Sequence, residues 1–341
     1  MNEFLRKLIA CDTKRQQYST YKQIIHQGLA PIRALDSTSR SLQKANLLEI
    51  AKLQNWQNKA AQLFAELIKN NVKFLVFKGF SYTYLLYDES NIRPYSDIDI
   101  LINKVDYYKV DNILTDLNYQ CYPSRQGQFI SFQNSFFDNH SPQTVIDLHW
   151  QINNRIEFHK HFQFADLYIN AIYINSKNLQ FKTLNHIDAF ILGCFHYQAH
   201  RAEDRKHIWL YDLALLWHNM NRQTQTDCLT KAKARKQSTI IVSTLKQLNE
   251  TFSNCLKVND MVISQNTEAT EDYLQVRNKK ITDIKIRLKN IKGINNKIKF
   301  FSEYIFQNHE YMLRRYNLKS QRWVYLYYPK MWLEDLMKLF K

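Results

Sequence analysis

The feature that most constrains the fold is a short acidic and apolar run, Ser96-Asp97-Ile98-Asp99-Ile100-Leu101-Ile102. Successive side chains of a β-strand point to opposite faces, so Asp97 and Asp99 would share one face and the isoleucines the other. Two carboxylates beside an apolar strand repel each other and lose hydration, and a bound cation relieves both costs. The run therefore predicts a strand with a site for a hard cation such as Mg²⁺.

A second apolar run, from Thr144 to Ile152, predicts another strand with Asp147 and His149 on one face. If the two strands are neighbours, three carboxylates converge, which suits a two-metal phosphoryl-transfer site. His149 could hydrogen-bond Asp147, steer a substrate or carry a proton, or it could be an ordinary buried histidine.

Upstream, Lys78 and Gly79 stand where a predicted strand turns into a predicted helix. A glycine there lets backbone N–H groups approach a phosphate, and a helix N-terminus adds a favourable dipole. Ser81 offers a hydroxyl, and Lys78 and Arg93 could neutralise triphosphate charge. An ordinary strand-to-helix turn with solvated cations explains the same residues.

Together these residues resemble a bacterial nucleotidyltransferase family with mostly uncharacterised members, within the DNA polymerase β-type nucleotidyltransferase superfamily. The resemblance spans residues 72–152 and rests on the following motifs: Lys78-Gly79, Arg93, Asp97-Ile98-Asp99 and Asp147-Leu148-His149-Trp150. It departs from the superfamily's usual Gly-Ser, because Phe80 separates Gly79 from Ser81 and the gap to Asp97 is longer.

The resemblance implies an α+β fold, with a small mixed-sheet core like the polymerase β palm flanked by N- and C-terminal helices. It implies transfer of an NMP from an NTP to an acceptor hydroxyl, with release of pyrophosphate and with two Mg²⁺ ions that Mn²⁺ can replace. The metal-binding and catalytic carboxylates would be Asp97, Asp99 and Asp147, and the nucleotide-binding residues Lys78, Gly79, Ser81 and Arg93. A non-catalytic or RNA-directed binding module on the same fold, and a phosphotransferase, are the alternatives.

The pattern predicts three regions: helices over 1–71, the core over 72–152, and a mainly helical acceptor-recognition region over 153–341. Core strands are predicted at 72–78, 97–102, 128–133 and 144–152, with helices at 81–87 and 105–117. Beyond the core, Asn185 should cap a helix that runs to about His200, and near-heptad isoleucines predict one helix over 281–298.

His196 and His200 are four residues apart on that predicted helix, so they share a face and are candidates for the acceptor side of the site. The same spacing can bind zinc, but an HExxH motif and a suitably spaced cysteine are absent.

The net charge of +16 favours anionic partners, although codon bias toward lysine explains it as well. Basic and aromatic side chains interleave between Arg277 and Trp323, which is typical of RNA binding and also of a solvated helix face. Five scattered cysteines predict reduced thiols, and a leading segment without an apolar core predicts a cytoplasmic protein. No run is long enough to predict a membrane span. The acceptor (small molecule, peptide or RNA) and the oligomeric state stay open.

Overall fold

The computed structural model describes residues 3–14, 21–34, 40–90, 92–122, 127, 129–140, 143–153, 156–176, 178–200, 202–252, 255, 256, 258 and 280–337. The chain forms two compact units. The first contains Met1–Asp99 and Leu167–Gln275, and the second contains Ile100–Asp166 and Val276–Lys341. Both units combine segments from more than one of the predicted regions, and the three-region division stays a prediction.

The described helices and strands alternate through the first half of the chain, and helices dominate the second half. In chain order they are α1 (Glu3–Cys11), α2 (Tyr21–His26), α3 (Ala30–Ala34), α4 (Arg40–Lys69), β1 (Phe74–Phe77), α5 (Gly79–Leu86), β2 (Ile98–Ile102), α6 (Tyr107–Asp116), β3 (Tyr119–Tyr122), β4 (Gln133–Asp138), β5 (Val145–His149), α7 (Ile156–His159), α8 (Phe164–Ile169), β6 (Ile172–Ser176), β7 (Leu179–Thr183), α9 (His186–Ala199), α10 (Ile208–Asn219), α11 (Arg222–Ala234), α12 (Ser238–Thr251), α13 (Lys280–Asn290), α14 (Ile294–Ile305), α15 (His309–Arg315) and α16 (Val324–Met337).

In the first unit, strands β1, β7 and β6 are neighbours in that order and pack against helices. Strand β1 is parallel to β7, and β6 is antiparallel to β7. The long helix α4 buries residues at helical spacing, among them Leu53, Trp56 and Leu63, each at most 1% exposed. Phe64 of α4 lies 5.3 Å from Phe74 of β1 between ring centroids, so this helix closes one side of the core.

Helix α9 begins as the sequence predicts, because the Asn185 side chain accepts a hydrogen bond from the backbone N–H of Asp188. It is buried along most of its length between α10 and α12. Gly193 allows a close approach of α10, since a Cβ there would lie 2.8 Å from Cδ2 of Leu213.

In the second unit, the strand order is β3-β4-β5-β2, and β3, β4 and β5 form an antiparallel meander. The Asn134 side chain of β4 donates a hydrogen bond of 2.6 Å to the Tyr107 hydroxyl at the start of α6. The C-terminal helices have a small core of their own, in which Met312, Val324 and Met331 are fully buried.

The mixed α+β architecture confirms the predicted fold class, and two local predictions were wrong. The strand predicted at 128–133 begins only at Gln133, because the backbone of Phe129 is bonded to side chains: its N–H donates to Glu303, and its carbonyl accepts from Arg287. The helix predicted over 281–298 is two helices, since Gly293 has a φ of 84°, which a continuing helix cannot contain. The strands β3, β6 and β7 were not predicted.

The expectation of reduced cysteines was also wrong for one pair. Cys11 and Cys255 form a disulfide whose Cα atoms are 6.4 Å apart, and in the described part of the chain Cys121, Cys194 and Cys228 are free. Within the same part of the chain, every helix is too short or too polar to cross a bilayer.

Candidate active site

The turn between β1 and α5 is strained and lies at the centre of the candidate site. Lys78 has a φ of 56° and a ψ of −140°, a backbone conformation that favours glycine and costs about 1–3 kcal/mol for other residues. Its side chain is held on both sides: the ammonium donates a 2.7 Å hydrogen bond to Oδ1 of Asp99 and lies 4.9 Å from the Phe77 ring centroid. These contacts offset the strain.

The two carboxylates of the acidic run differ in their surroundings. Asp99 is the second residue of β2 and is 3% exposed, whereas Asp97 precedes the strand and is half-buried. The Ser96 hydroxyl lies 3.3 Å from Oδ1 of Asp97. A carboxylate as buried as Asp99 needs a positive partner, and the Lys78 ammonium supplies it in this structure.

Arg93 is not a solvated cation. Its Nε and Nη2 donate to the two carboxylate oxygens of Asp212 at 3.2 and 2.6 Å, and its Nη1 donates to the Pro94 carbonyl. The Tyr87 hydroxyl donates to the same Asp212 carboxylate at 2.8 Å. Asp212 raises the pKa of Arg93 against the opposing effect of burial, so the guanidinium is a fixed positive charge in one wall of the site.

Gly79 makes room for that wall. A Cβ on Gly79 would lie 2.6 Å from Nη1 of Arg93 and 3.2 Å from Cβ of Tyr95. In this structure, therefore, the close approach of the Arg93 guanidinium is what requires a glycine at position 79. The predicted contact of Gly79 with phosphate stays a prediction.

Ser81 faces away from open space. It is fully buried, and its hydroxyl donates a 3.0 Å hydrogen bond to the Lys78 carbonyl, which satisfies it within the first turn of α5. The structure thus gives the hydroxyl a local partner, and its predicted contact with a phosphate stays a prediction.

His196, His200 and Trp209 form a cluster of rings. The His196 centroid lies 4.7 Å from that of His200 and 4.4 Å from that of Trp209, and the His200 and Trp209 centroids are 4.8 Å apart. Burial first, and then the nearby charge of Lys78, hold the pKa of His196 well below its usual value. His196 is therefore a neutral imidazole at neutral pH.

One cavity of the first unit, with a volume of about 420 Å³, brings most of the predicted residues together. Seven of the ten predicted site residues line it: Lys78, Gly79, Arg93, Asp97, Asp99, His196 and His200. Two lysines that the sequence did not single out, Lys52 and Lys206, line it as well. Burial lowers the pKa of Lys206, and the charge of Asp97 opposes that shift. No sequence signal distinguishes Lys206 from the other lysines of this basic chain.

A sequence model of the family described as uncharacterised nucleotidyltransferases matches residues 21–253, more than half of the chain. The chain belongs to this nucleotidyltransferase family. No curated protein matches it. The solution structure of the antibiotic-resistance factor ANT(2'')-Ia is similar over 59% of this chain and 98% of its own, with 8% identity and a TM-score of 0.40. An antigenic nucleotidyltransferase-like protein from Paracoccidioides brasiliensis is similar over 58% of this chain and 97% of its own, with 17% identity and a TM-score of 0.34. Likenesses this distant carry no argument about the activity.

In this nucleotidyltransferase, the remaining predicted residues, Asp147 and His149, lie on β5 of the second unit. Asp147 is half-buried opposite Ser135, whose hydroxyl donates to Oδ1 at 2.5 Å, and the Gln133 amide lies 3.4 Å from Oδ2. His149 is 2% exposed. The two hydrogen bonds orient the Asp147 carboxylate. The roles predicted for Asp147 in metal binding and for His149 in acceptor binding stay predictions.

The basic segment of the nucleotidyltransferase runs from Arg277 to Trp323, and the structure describes it from Lys280 onward. Lys285 and Lys289 of α13 are exposed, whereas Arg287 is half-buried and donates to the Phe129 carbonyl. Arg277 and Lys279 lie outside the described residues. The predicted contact of this segment with RNA stays a prediction.

Proposed function

We propose that this nucleotidyltransferase moves an NMP from an NTP to an acceptor hydroxyl and releases pyrophosphate, with Mg²⁺ required and Mn²⁺ as a substitute. The observation that carries the proposal is the Lys78 ammonium on the buried Asp99 carboxylate, at the wall of a cavity that also contains Asp97. Five carboxylates line this cavity, among them Asp97 and Asp99, together with four cations, and such a mixture suits a metal-assisted reaction of phosphates.

The donor chemistry fits a divalent metal. Carboxylate oxygens are the ligands that Mg²⁺ prefers, and the Asp99 oxygen already bonds a positive charge in this structure. The ion would be held by Asp97 and Asp99, with Asp147 as the third carboxylate that the sequence predicts. When bound, Mg²⁺ neutralises phosphate charge and lowers the pKa of the attacking hydroxyl.

The cations of the cavity would bind the triphosphate. Lys206 is half-buried beside the charge of Asp97, and Lys52 is 32% exposed in its ion pair with Glu49, so both can turn toward a phosphate. Arg93 is already bonded to Asp212 and would supply a fixed positive charge at the wall of the cavity. Lys78 would give up Asp99 to the metal and bond a phosphate oxygen instead.

The ring cluster would hold the organic part of a substrate. Trp209 with His196 and His200 offers flat faces for stacking against a nucleobase or an acceptor ring. The neutral His196 would hydrogen-bond a hydroxyl without adding charge.

The proposed step is an in-line displacement. The acceptor oxygen bonds to the α-phosphorus as the bond from that phosphorus to the bridging oxygen of the β-phosphate breaks, and pyrophosphate carries away the electron pair. The acceptor proton passes to the Asp147 carboxylate.

The test incubates the protein with each NTP, labelled at the α- or the γ-phosphate, and with a cell extract as the source of acceptor. It then follows which product carries the label. Label from the α-phosphate should appear in the acceptor in wild type and in the control variant Asp116→Asn, which changes an exposed carboxylate on α6. Asp97→Asn should abolish transfer while keeping the thermal melt. Asp99→Asn should also abolish transfer, and it should lower the melting temperature because it removes the buried charge that the Lys78 ammonium bonds. Transfer of the γ-phosphate with release of NDP would instead make the protein a phosphotransferase. Absence of any transfer, together with salt-sensitive RNA binding, would make it a binding module.

A separate measurement tests Asp147. If this residue accepts the proton, Asp147→Asn should bind NTP with unchanged affinity in a calorimetric titration and lose turnover. An equal loss of binding and turnover would assign Asp147 to the triphosphate or to folding.

A further inference from the structure

Helix α14 carries an exposed apolar stripe. Ile294, Ile298, Phe301 and Ile305 are 71%, 60%, 46% and 40% exposed. At 100° per residue these four positions fall within about 60° of arc, so they form one continuous strip along the helix. The buried contact of the helix is made elsewhere, by Phe300, which is 1% exposed.

Helix α16 exposes a wider apolar face. Its inner side is already packed, because Val324 and Met331 are buried in the small C-terminal core. The opposite side is apolar too, with the following exposed residues: Tyr325 64%, Leu326 66%, Trp332 39%, Leu333 58%, Leu336 50% and Met337 53%. A helix face this apolar that stays exposed is typical of a surface that binds a partner or a membrane.

The two helices are packed against each other. The Trp332 indole of α16 donates a 2.7 Å hydrogen bond to the Ile305 carbonyl at the end of α14. The Phe306 ring lies 5.7 Å from the Tyr328 ring and 5.9 Å from the Trp332 ring between centroids. The α14 stripe and the outer face of α16 therefore belong to one folded element, here called the apolar surface.

The segment of the chain that contains this surface has a net positive charge. Residues 280–337 contain twelve Lys and Arg against five Asp and Glu. Exposed cations stand at the beginnings of the two helices, Lys292 before α14 and Arg322 before α16. A second copy of the chain would bring the same positive charge to the interface and be repelled. RNA would satisfy the cations but would leave the isoleucine and leucine side chains in water.

We propose that the apolar surface of α14 and α16 binds the surface of an anionic lipid bilayer. The aliphatic side chains would enter the boundary between headgroups and acyl chains, while Trp332, Tyr325 and Trp323 lie at headgroup depth. Lys292 and Arg322 would meet the lipid phosphates. This is attachment to one face of the bilayer, and it is independent of the proposed catalytic function.

The experiment is flotation of the full chain with vesicles, without nucleotide. Wild type should bind vesicles of phosphatidylcholine mixed with phosphatidylglycerol, and bind pure phosphatidylcholine vesicles at least about tenfold more weakly. The double variant Leu326→Gln/Leu333→Gln should weaken anionic-vesicle binding about tenfold with an unchanged circular-dichroism melt, because both side chains are exposed. The matched control Val105→Gln/Ile169→Gln changes two residues that are 82% and 78% exposed elsewhere, and it should bind like wild type.

Three results would overturn the proposal. The first is no binding of wild type to anionic vesicles, or equal binding by Leu326→Gln/Leu333→Gln. The second is binding of an RNA oligonucleotide, without vesicle binding, that Lys292→Glu/Arg322→Glu removes and the leucine variant does not. The third is self-association in sedimentation that the leucine variant abolishes, again without vesicle binding, which would assign the surface to a second copy.

Discussion

The ion pair between Arg93 and Asp212 should be among the most costly polar interactions to break. The two side chains are 5% and 2% exposed, and two hydrogen bonds join them. Removing one partner leaves the other charge buried without a counter-charge, which typically costs about 3–5 kcal/mol. The Tyr87 hydroxyl also donates to Asp212, so Asp212→Asn disturbs a second hydrogen bond. We expect Asp212→Asn to lower the free energy of unfolding by about 4 kcal/mol.

Two comparisons separate burial from the pairing itself. Lys69 and Glu66 form a pair at 3.1 Å whose side chains are 73% and 36% exposed, so Glu66→Gln should cost no more than about 0.5 kcal/mol. The double variant Arg93→Met/Asp212→Leu leaves no unpaired charge. Its free energy of unfolding should be higher than that of Asp212→Asn. The stability that it loses relative to wild type should be well below the sum of the losses of the single variants Arg93→Met and Asp212→Leu.

The assay is urea unfolding followed by tryptophan fluorescence, with the slope of each transition compared so that the variants share one unfolding reaction. The reasoning fails if Asp212→Asn costs no more than Glu66→Gln, or if the double variant loses as much as the two single variants together.

Three further predictions concern other parts of the chain. Burial lowers the pKa of His159 to about 4 from 6.5, so the folded state prefers the neutral imidazole. The free energy of unfolding should therefore be full above pH 6.5 and fall by about 3 kcal/mol as the pH drops toward 4. In urea unfolding at a series of pH values, His159→Gln should flatten this dependence. Gly79→Ala should push the Arg93 guanidinium away and cost about 1–3 kcal/mol in the same assay. A non-reducing peptide map should show Cys11 linked to Cys255, and reduction should lower the free energy of unfolding by about 2–4 kcal/mol, whereas free thiols in the map would contradict the structure.

Local patterns determined a large part of the fold. The apolar spacing of α4, the side-chain cap at Asn185 and the acidic start of β2 are signals within a few residues, and each lies where the sequence predicts it. The hairpin of β6 and β7 was missed although its signal is local too: Leu179, Phe181 and Thr183 alternate with polar residues. The sequence also determined the family, because the motif residues are a matter of identity and spacing.

The tertiary structure decided which carboxylate each buried cation pairs with. Lys78 meets Asp99 across 21 residues, and Arg93 meets Asp212 across 119 residues. No periodicity tells a lysine or an arginine which carboxylate it will bond, because the energy of a buried charge pair depends on surroundings that exist only after folding. The same reason explains the exposed face of α16. Its residues are mostly apolar, and only the packed structure shows which side of the helix the protein leaves uncovered.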